Sequence, residues 1–352
     1  MSLNKNIIEF QNNHKKIFEY FSQLESYIFN FKKKEIKKPT FISGMARSGT
    51  TFTTHLLFSS KEFASLQYRD LPFYKIVIFW SYFSKIYYGN ERFNKRIHGD
   101  ELYVSQNSPD AFEELIWKNN LHNYLDSGFF RRLDEKYKNI LLENELDNII
   151  KKTLFIKKEN RYLSKNNYNI FRLKYLIKLY KDANFIILFR DPIETILSLS
   201  KVHEKFIDYG KNNKKFGEEL EILGHHEFGP KRKAFDIGKN YHKTINYWNA
   251  KKNSSGYLLQ WIDLYSYVLN EYKSLIESKK ILLLNFSRNL DYTFCDKLIN
   301  YCKINNSDNL SKYFKTFVLK EEKIDHKLLN FDKDDLDRSY DIYKSLVKLS
   351  NI

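Results

Sequence analysis

The stretch from Pro39 to Ser59, PTFISGMARSGTTFTTHLLFS, constrains this chain more than any other. A short apolar run, Phe41-Ile42, follows the breaker Pro39 and reads as a buried strand. Gly44 and Gly49 bracket a tight turn, and Thr50-Thr51 lead into a helical pattern carrying Phe52, His55, Leu56 and Leu57. Strand, glycine loop and helix N-terminus together aim several backbone N–H groups at one anion. The spacing Gly44-x4-Gly49 is that of a Walker A loop, but Thr-Thr follows where Lys-Ser or Lys-Thr would hold a triphosphate. The loop's cation is Arg47, ahead of the second glycine. A glycine turn into a helix also occurs in α/β proteins without a phosphate site, so the loop alone does not decide.

A second stretch narrows the choice. Asn184 to Phe189 is a continuous apolar run of the kind found in central parallel strands, and it ends on Arg190. Asp191-Pro192 then starts a helix with Ile193, Ile196, Leu197 and Leu199, and Ser198 lies on it eight residues after Arg190. An arginine at the carboxyl end of a strand stands where α/β sheets bind ligands. It can grip a second phosphate bidentately, with a hydroxyl two turns along the helix as a further donor. No Walker B carboxylate ends this strand, which argues against hydrolysis of a magnesium nucleotide.

The pair GMARSGTT and FRDPIETILSLS resembles the two nucleotide-binding motifs of sulfotransferases that use 3′-phosphoadenosine-5′-phosphosulfate (PAPS). The resemblance implies that Arg47, Ser48, Gly49, Thr50 and Thr51 cradle the 5′-phosphosulfate, and that Arg190 and Ser198 hold the 3′-phosphate. Arg47 stands where cytosolic small-molecule members carry Lys, so the loop looks more like the tyrosylprotein and carbohydrate branches. YRDLPF, ERFNKRIHGD, RYLSKNN and LGHHEFG look similar to a bacterial group of such enzymes, and the likeness runs from about Pro39 to beyond Asn285. It also implies a catalytic role for Lys165, at the end of an expected strand starting at Arg161, as the lysine beside the leaving sulfate bridge. Some branches place a catalytic His two positions after that lysine; here the residue is Asn167, so the base must come from elsewhere.

Asp70 is the first candidate for that base. Phe63 to Gln67 reads as another strand, and a carboxylate just beyond it would lie near the phosphate loop of a parallel sheet. The alternative, that Asp70 pairs with Arg69 or caps a turn, stays open. His98 and Asp100, in a polar loop, rank second. Glu113 and Glu114 read as first-turn acids of a helix, favoured by its dipole. His225-His226-Glu227 has no metal-ligand spacing, and no metal is expected. Ser287-Arg288, after the clear strand Lys280–Phe286, could approach the nucleotide.

The expected fold is an α/β, P-loop-like three-layer sandwich: a central, mostly parallel sheet with helices on both faces. Residues 1–38 read as an amphipathic helical extension, and 39–352 as a single domain with acceptor-side insertions at about 71–160 and 201–239. Leu71 to Tyr88 is aromatic and apolar but contains Pro72, Lys75 and Lys85; it reads as a buried or lid helix, with in-plane membrane contact the lesser alternative.

The net charge of +16 and pI near 9.4 suit an anionic nucleotide donor. Lys abounds along the whole chain, and no nucleic-acid module is present, so nucleic acid is not an expected partner. Two cysteines, Cys295 and Cys302, make no disulfide framework, and no signal peptide opens the chain; both point to a cytoplasmic protein. The function that follows is sulfuryl transfer from PAPS to an unidentified acceptor hydroxyl, of a carbohydrate or similar compound, in line and with a carboxylate base. A P-loop nucleotide kinase or NTPase is the alternative enzyme, and a nucleotide-binding scaffold the alternative outside catalysis.

Overall fold

The computed structural model describes residues 5–96, 102–121, 124–126, 129–130, 132–287, 290–316 and 331–352. His98, Asp100 and Arg288 lie outside them. In chain order, α1 (Lys5–Asn13) and α2 (Lys15–Ile28) precede β1 (Thr40–Gly44) and α3 (Thr50–Ser59). Next come α4 (Val77–Tyr88), the short pair β2 (Asn94–Lys95) and β3 (Tyr103–Val104), α5 (Glu114–Asn120), and a second short pair, β4 (Leu125–Asp126) and β5 (Phe129–Phe130). Helix α6 (Ile140–Lys157) leads to β6 (Leu163–Lys165), α7 (Leu173–Leu179), β7 (Asn184–Phe189), α8 (Pro192–Asn212) and α9 (Lys214–Ile222). The remainder is α10 (Tyr241–Asn249), α11 (Asn253–Glu277), β8 (Ile281–Asn285), α12 (Tyr292–Cys302), α13 (Ser307–Thr316) and α14 (Lys333–Ser350).

The central sheet has the order β6-β1-β7-β8 and every pairing in it is parallel. Alternation along its strands divides the core in two. Phe41, Phe185, Ile187 and Phe189 enter one cluster with α6, α8 and α11. Ile42, Ile186 and Leu188 enter another with α3, α12 and α13. Helices therefore cover both faces, as expected for the three-layer sandwich. Strands β7 and β8 are apolar over most of their length because each faces protein on both sides.

Two expectations change. Phe63–Gln67 is not a strand; it touches the sheet through one parallel bridge, Ala64 to Tyr162, and one antiparallel bridge, Gln67 to Pro109. The segment turns away because Gln67 and Asp70 close a tight turn, with Asp70 N donating to Gln67 O at 2.9 Å. Leu71–Tyr88 is broken into a 3-10 turn (Leu71–Ile76) and α4, and its outer side is open rather than buried.

Helix α3 leaves β1 towards the second cluster through Phe52, Leu56 and Leu57. Helix α8 leaves β7 towards the first through Ile196, Leu199 and Val202. The connections after two adjacent strands thus depart to opposite faces. That opens a crevice at the carboxyl ends of β1 and β7, where open parallel sheets bind ligands.

Candidate functional site

The loop between β1 and α3 is wound tightly into this crevice. Arg47 has φ +75°, a left-handed conformation that a non-glycine residue adopts at a cost and that is found mainly at functional sites. Gly49 has φ +89°, and a Cβ there would lie 2.3 Å from the Phe286 ring, so both the turn and the packing exclude a side chain. Helix α3 begins on Gly49 with no side-chain cap. The N–H groups of its first turn have no partner inside the helix and, with the helix dipole, favour an anion. Thr50 and Thr51 line a cleft of about 190 Å³ at this point, together with Arg47. The Ser48 hydroxyl is turned inward and donates to Met45 O at 2.7 Å.

Arg47 also reaches the second motif. Its Nε donates to Ser198 Oγ on α8 at 2.9 Å, so the two stretches meet across the crevice. Helix α8 starts where the sequence places it: the Asp191 side chain accepts from Glu194 N, and Pro192 occupies the first turn. Arg190 sits at the end of β7, its Nε 2.9 Å from Glu194 Oε2 and its guanidinium 5.8 Å from the Phe286 ring centroid.

Lys165, the last residue of β6, lines the same cleft and lies 3.1 Å from Asp110 Oδ1. Tyr68 OH donates to Asp110 Oδ2 at 2.8 Å, and Arg96 is 3.6 Å from the same oxygen. Burial alone would raise the Asp110 pKa, but the charges of Lys165 and Arg96 outweigh it and hold the carboxyl well below its usual range. A second polar line starts at the loop. Thr50 Oγ1 donates to Asn167 Oδ1 at 3.1 Å, and Asn167 Nδ2 donates to Glu227 Oε1 at 2.8 Å. His225 Nδ1 stands 3.8 Å from Glu227 Oε2. Burial pushes Glu227 up, but His225, Asn167 and Lys165 together bring it down to about 2. The opposite wall is apolar: Phe206 from α8, Phe216 and Leu220 from α9, and Leu223 and Phe228 beyond it.

Asp70 is not part of this cleft. Its carboxylate is buried, and Oδ2 accepts from Gln67 N at 2.9 Å, closing the turn described above. Burial raises its pKa, against the charge of Lys157. Glu113 and Glu114 stand at the start of α5, as expected, and are buried there. Glu113 accepts from Tyr162 OH at 2.7 Å and from the Ser164 hydroxyl, while Glu114 pairs with Arg172 and accepts from Asn166. The sequence reading missed Asp110, Glu227, Tyr68 and Arg96 as site residues. Three of them fall in the stretches LGHHEFG, YRDLPF and ERFNKRIHGD, where the signal was visible but its convergence was not. His226 is structural: burial lowers its pKa to about 4, and its ring Nδ1 is 3.2 Å from Lys231 O. Among the described residues no cluster of three or more His, Cys, Asp or Glu is arranged to hold a metal ion.

A family model described as the sulfotransferase family matches residues 39–226. No curated protein matches the chain. Two solved structures are similar to it. Sulfotransferase STF1 from Mycobacterium tuberculosis H37Rv is 13% identical, with 84% of this chain and 76% of that one covered and a TM-score of 0.47. Sulfotransferase STF9 from Mycobacterium avium is 10% identical, with 92% and 80% covered and a TM-score of 0.53. At that identity the second likeness shows a shared fold and nothing finer.

Proposed function

The chain belongs to the sulfotransferase family, and from that premise we propose that it moves a sulfuryl group from PAPS to the hydroxyl of a carbohydrate or similar acceptor. The observation that carries the reading is the junction of Arg47 with Ser198, which brings both expected phosphate-binding stretches to one crevice. The uncapped start of α3 and the Arg47 and Thr50 side chains would take the phosphosulfate end. Arg190 and Ser198 would take the 3′-phosphate, Arg190 turning part of its guanidinium from Glu194.

The donor supplies an activated sulfuryl group, and the protein's part is placement and charge. Lys165 and Arg47 face the bridging oxygen, where negative charge grows as its bond to sulfur breaks. The acceptor oxygen bonds to sulfur from the opposite side, and adenosine 3′,5′-bisphosphate leaves. Asp70 would have to abandon its turn to receive the acceptor proton. His225 already borders the cleft with the Glu227 carboxylate behind it, so in this reading the proton goes to its imidazole and Glu227 balances the resulting charge. The aromatic wall of Phe206, Phe216 and Phe228 suits the apolar face of a sugar ring.

Calorimetric titration with adenosine 3′,5′-bisphosphate, beside ATP with Mg²⁺, on wild type and Arg190→Ala tests the reading. Bisphosphate binding that collapses in the variant is the expected result. Tight ATP binding with none of the bisphosphate would overturn it.

A further inference from the structure

The outer side of α4 is open over most of its surface. Tyr82, Phe83, Ile86 and Tyr87, spaced as one helical stripe, are 61%, 63%, 84% and 65% exposed, while Val77, Ile78 and Ser84 on the other side are buried. At ~200 Å² per large side chain, the four expose on the order of 500 Å², at the upper end of what single surface patches show. Apolar exposure continues beyond the helix at Phe93 and Tyr103, each more than half exposed. These flank Asn94, Lys95 and Val104, which line the cleft. At the other end, Tyr82 stacks on Phe29, next to exposed Tyr27 and Ile28 of α2.

Cations outnumber acids three to one along this stripe. Between Tyr82 and Lys95 the exposed cations are Lys85, Arg92 and Lys95, and the single acid is Glu91, whose carboxylate accepts from the Ser105 hydroxyl. Tyrosine, phenylalanine and Lys85 on the helix, with Arg92 and Lys95 just beyond its end, make the composition of a surface that meets a bilayer in the headgroup plane. Twelve residues span only about 18 Å, well short of a bilayer core of ~30 Å. No helix among the described residues is long and apolar enough to cross a membrane.

We propose that this face docks on an anionic lipid bilayer, with α4 lying along the headgroup region and the edge of the cleft beside it. The aromatic and isoleucine side chains enter the acyl boundary, and Lys85, Arg92 and Lys95 meet the lipid charge. Vesicle flotation of the full chain tests this, using phosphatidylcholine alone and phosphatidylcholine with phosphatidylglycerol. Partition onto the phosphatidylglycerol vesicles is expected, reduced about tenfold or more by the pair Phe83→Asp and Ile86→Asp. Lys85→Glu and high salt should weaken it more modestly. Both aspartates replace exposed side chains, so the variant keeps its circular dichroism and melting curve. Absence of partition, or partition unchanged in the double variant, overturns the proposal. So does sedimentation velocity in which the double variant splits a dimer, since the face would then cover a second copy. No nucleotide is needed, so the result stands apart from that of the catalytic reading.

Discussion

Arg47 Nε donates to Ser198 Oγ at 2.9 Å, tying the loop after β1 to the second turn of α8. The bond crosses the crevice between the helices that leave opposite faces of the sheet, so it would fix the distance between the two proposed phosphate positions. Ser198→Ala removes one donor and loosens that distance; bisphosphate affinity should fall about tenfold. Glu194→Gln should act in the opposite direction. It removes a carboxylate held 2.9 Å from Arg190, leaving the guanidinium for a phosphate, and affinity should rise severalfold. Calorimetry on the two variants reads both signs, and a gain in Ser198→Ala or a loss in Glu194→Gln would count against the assignment of the 3′-phosphate.

The choice between Asp70 and His225 is also a matter of signs. His225→Gln should lower kcat by ~10²–10⁴ and leave bisphosphate affinity as it was, because the imidazole borders the acceptor side. Asp70→Asn should keep most of its turnover and lose some stability, since an amide oxygen can still accept from Gln67 N. Initial rates with radiolabelled donor, beside melting curves, separate the two. An inactive, well-folded Asp70→Asn with an active His225→Gln would return the role to Asp70.

What the sequence shows and what it hides follows from the range of the interactions. Strands β7 and β8 are legible because burial on both faces writes a long apolar run into each, and β1 because Phe41-Ile42 stands between Pro39 and the glycine turn. The two phosphate loops are legible because a glycine turn and a strand-end arginine are local features. Phe63–Gln67 misleads because two isolated bridges, to Tyr162 and to Pro109, replace a continuous ladder. The acidic side of the cleft is the least legible part. Asp110 gets its meaning from Lys165 and Glu227 from Asn167, partners 55 and 60 residues away along the chain. Glu113 and Glu114 do start α5, but the partners that bury them, Tyr162, Ser164 and Arg172, lie some fifty residues further on.

Glu113 should give the protein a measurable pH dependence. Burial is the main cause that raises its pKa to about 7, against the donors Ser164 and Tyr162. The folded chain therefore holds a proton there that the unfolded chain releases near 4.5. Its contribution is complete below about pH 4.5 and is lost as pH rises through about 7, an effect of roughly 3 kcal/mol. Asp110 and Glu227, both lowered, contribute in the opposite sense below that window, while His203 and His226, each lowered to about 4 by burial, do so within it and in equal measure with or without Glu113. The stability of wild type relative to Glu113→Gln, from urea unfolding between pH 4.5 and 8, should decline by that amount as pH rises, with Glu113→Gln the more stable form at pH 8. A difference that does not change with pH would place the titration elsewhere.

The N-terminal helices are held by a buried charge, and that makes their attachment conditional. Lys152 Nζ lies 2.8 Å from Glu25 Oε2, with both side chains almost fully buried, and also donates to Ser22 Oγ and Lys75 O. The other Glu25 oxygen accepts from Phe79 N at the start of α4. Burial moves both groups towards neutrality, lowering Lys152 and raising Glu25, so the pair persists through mutual attraction and its surrounding donors. Lys152→Met alone leaves a buried carboxylate without its cation and should cost ~3–5 kcal/mol, read by urea unfolding. Glu25→Leu together with Lys152→Met removes both charges and should recover most of that loss. Limited proteolysis should cut residues 5–33 readily in the single variant and slowly in the double. If both variants resist cleavage as wild type does, apolar packing of Phe18 and Phe31 holds the segment without the ion pair.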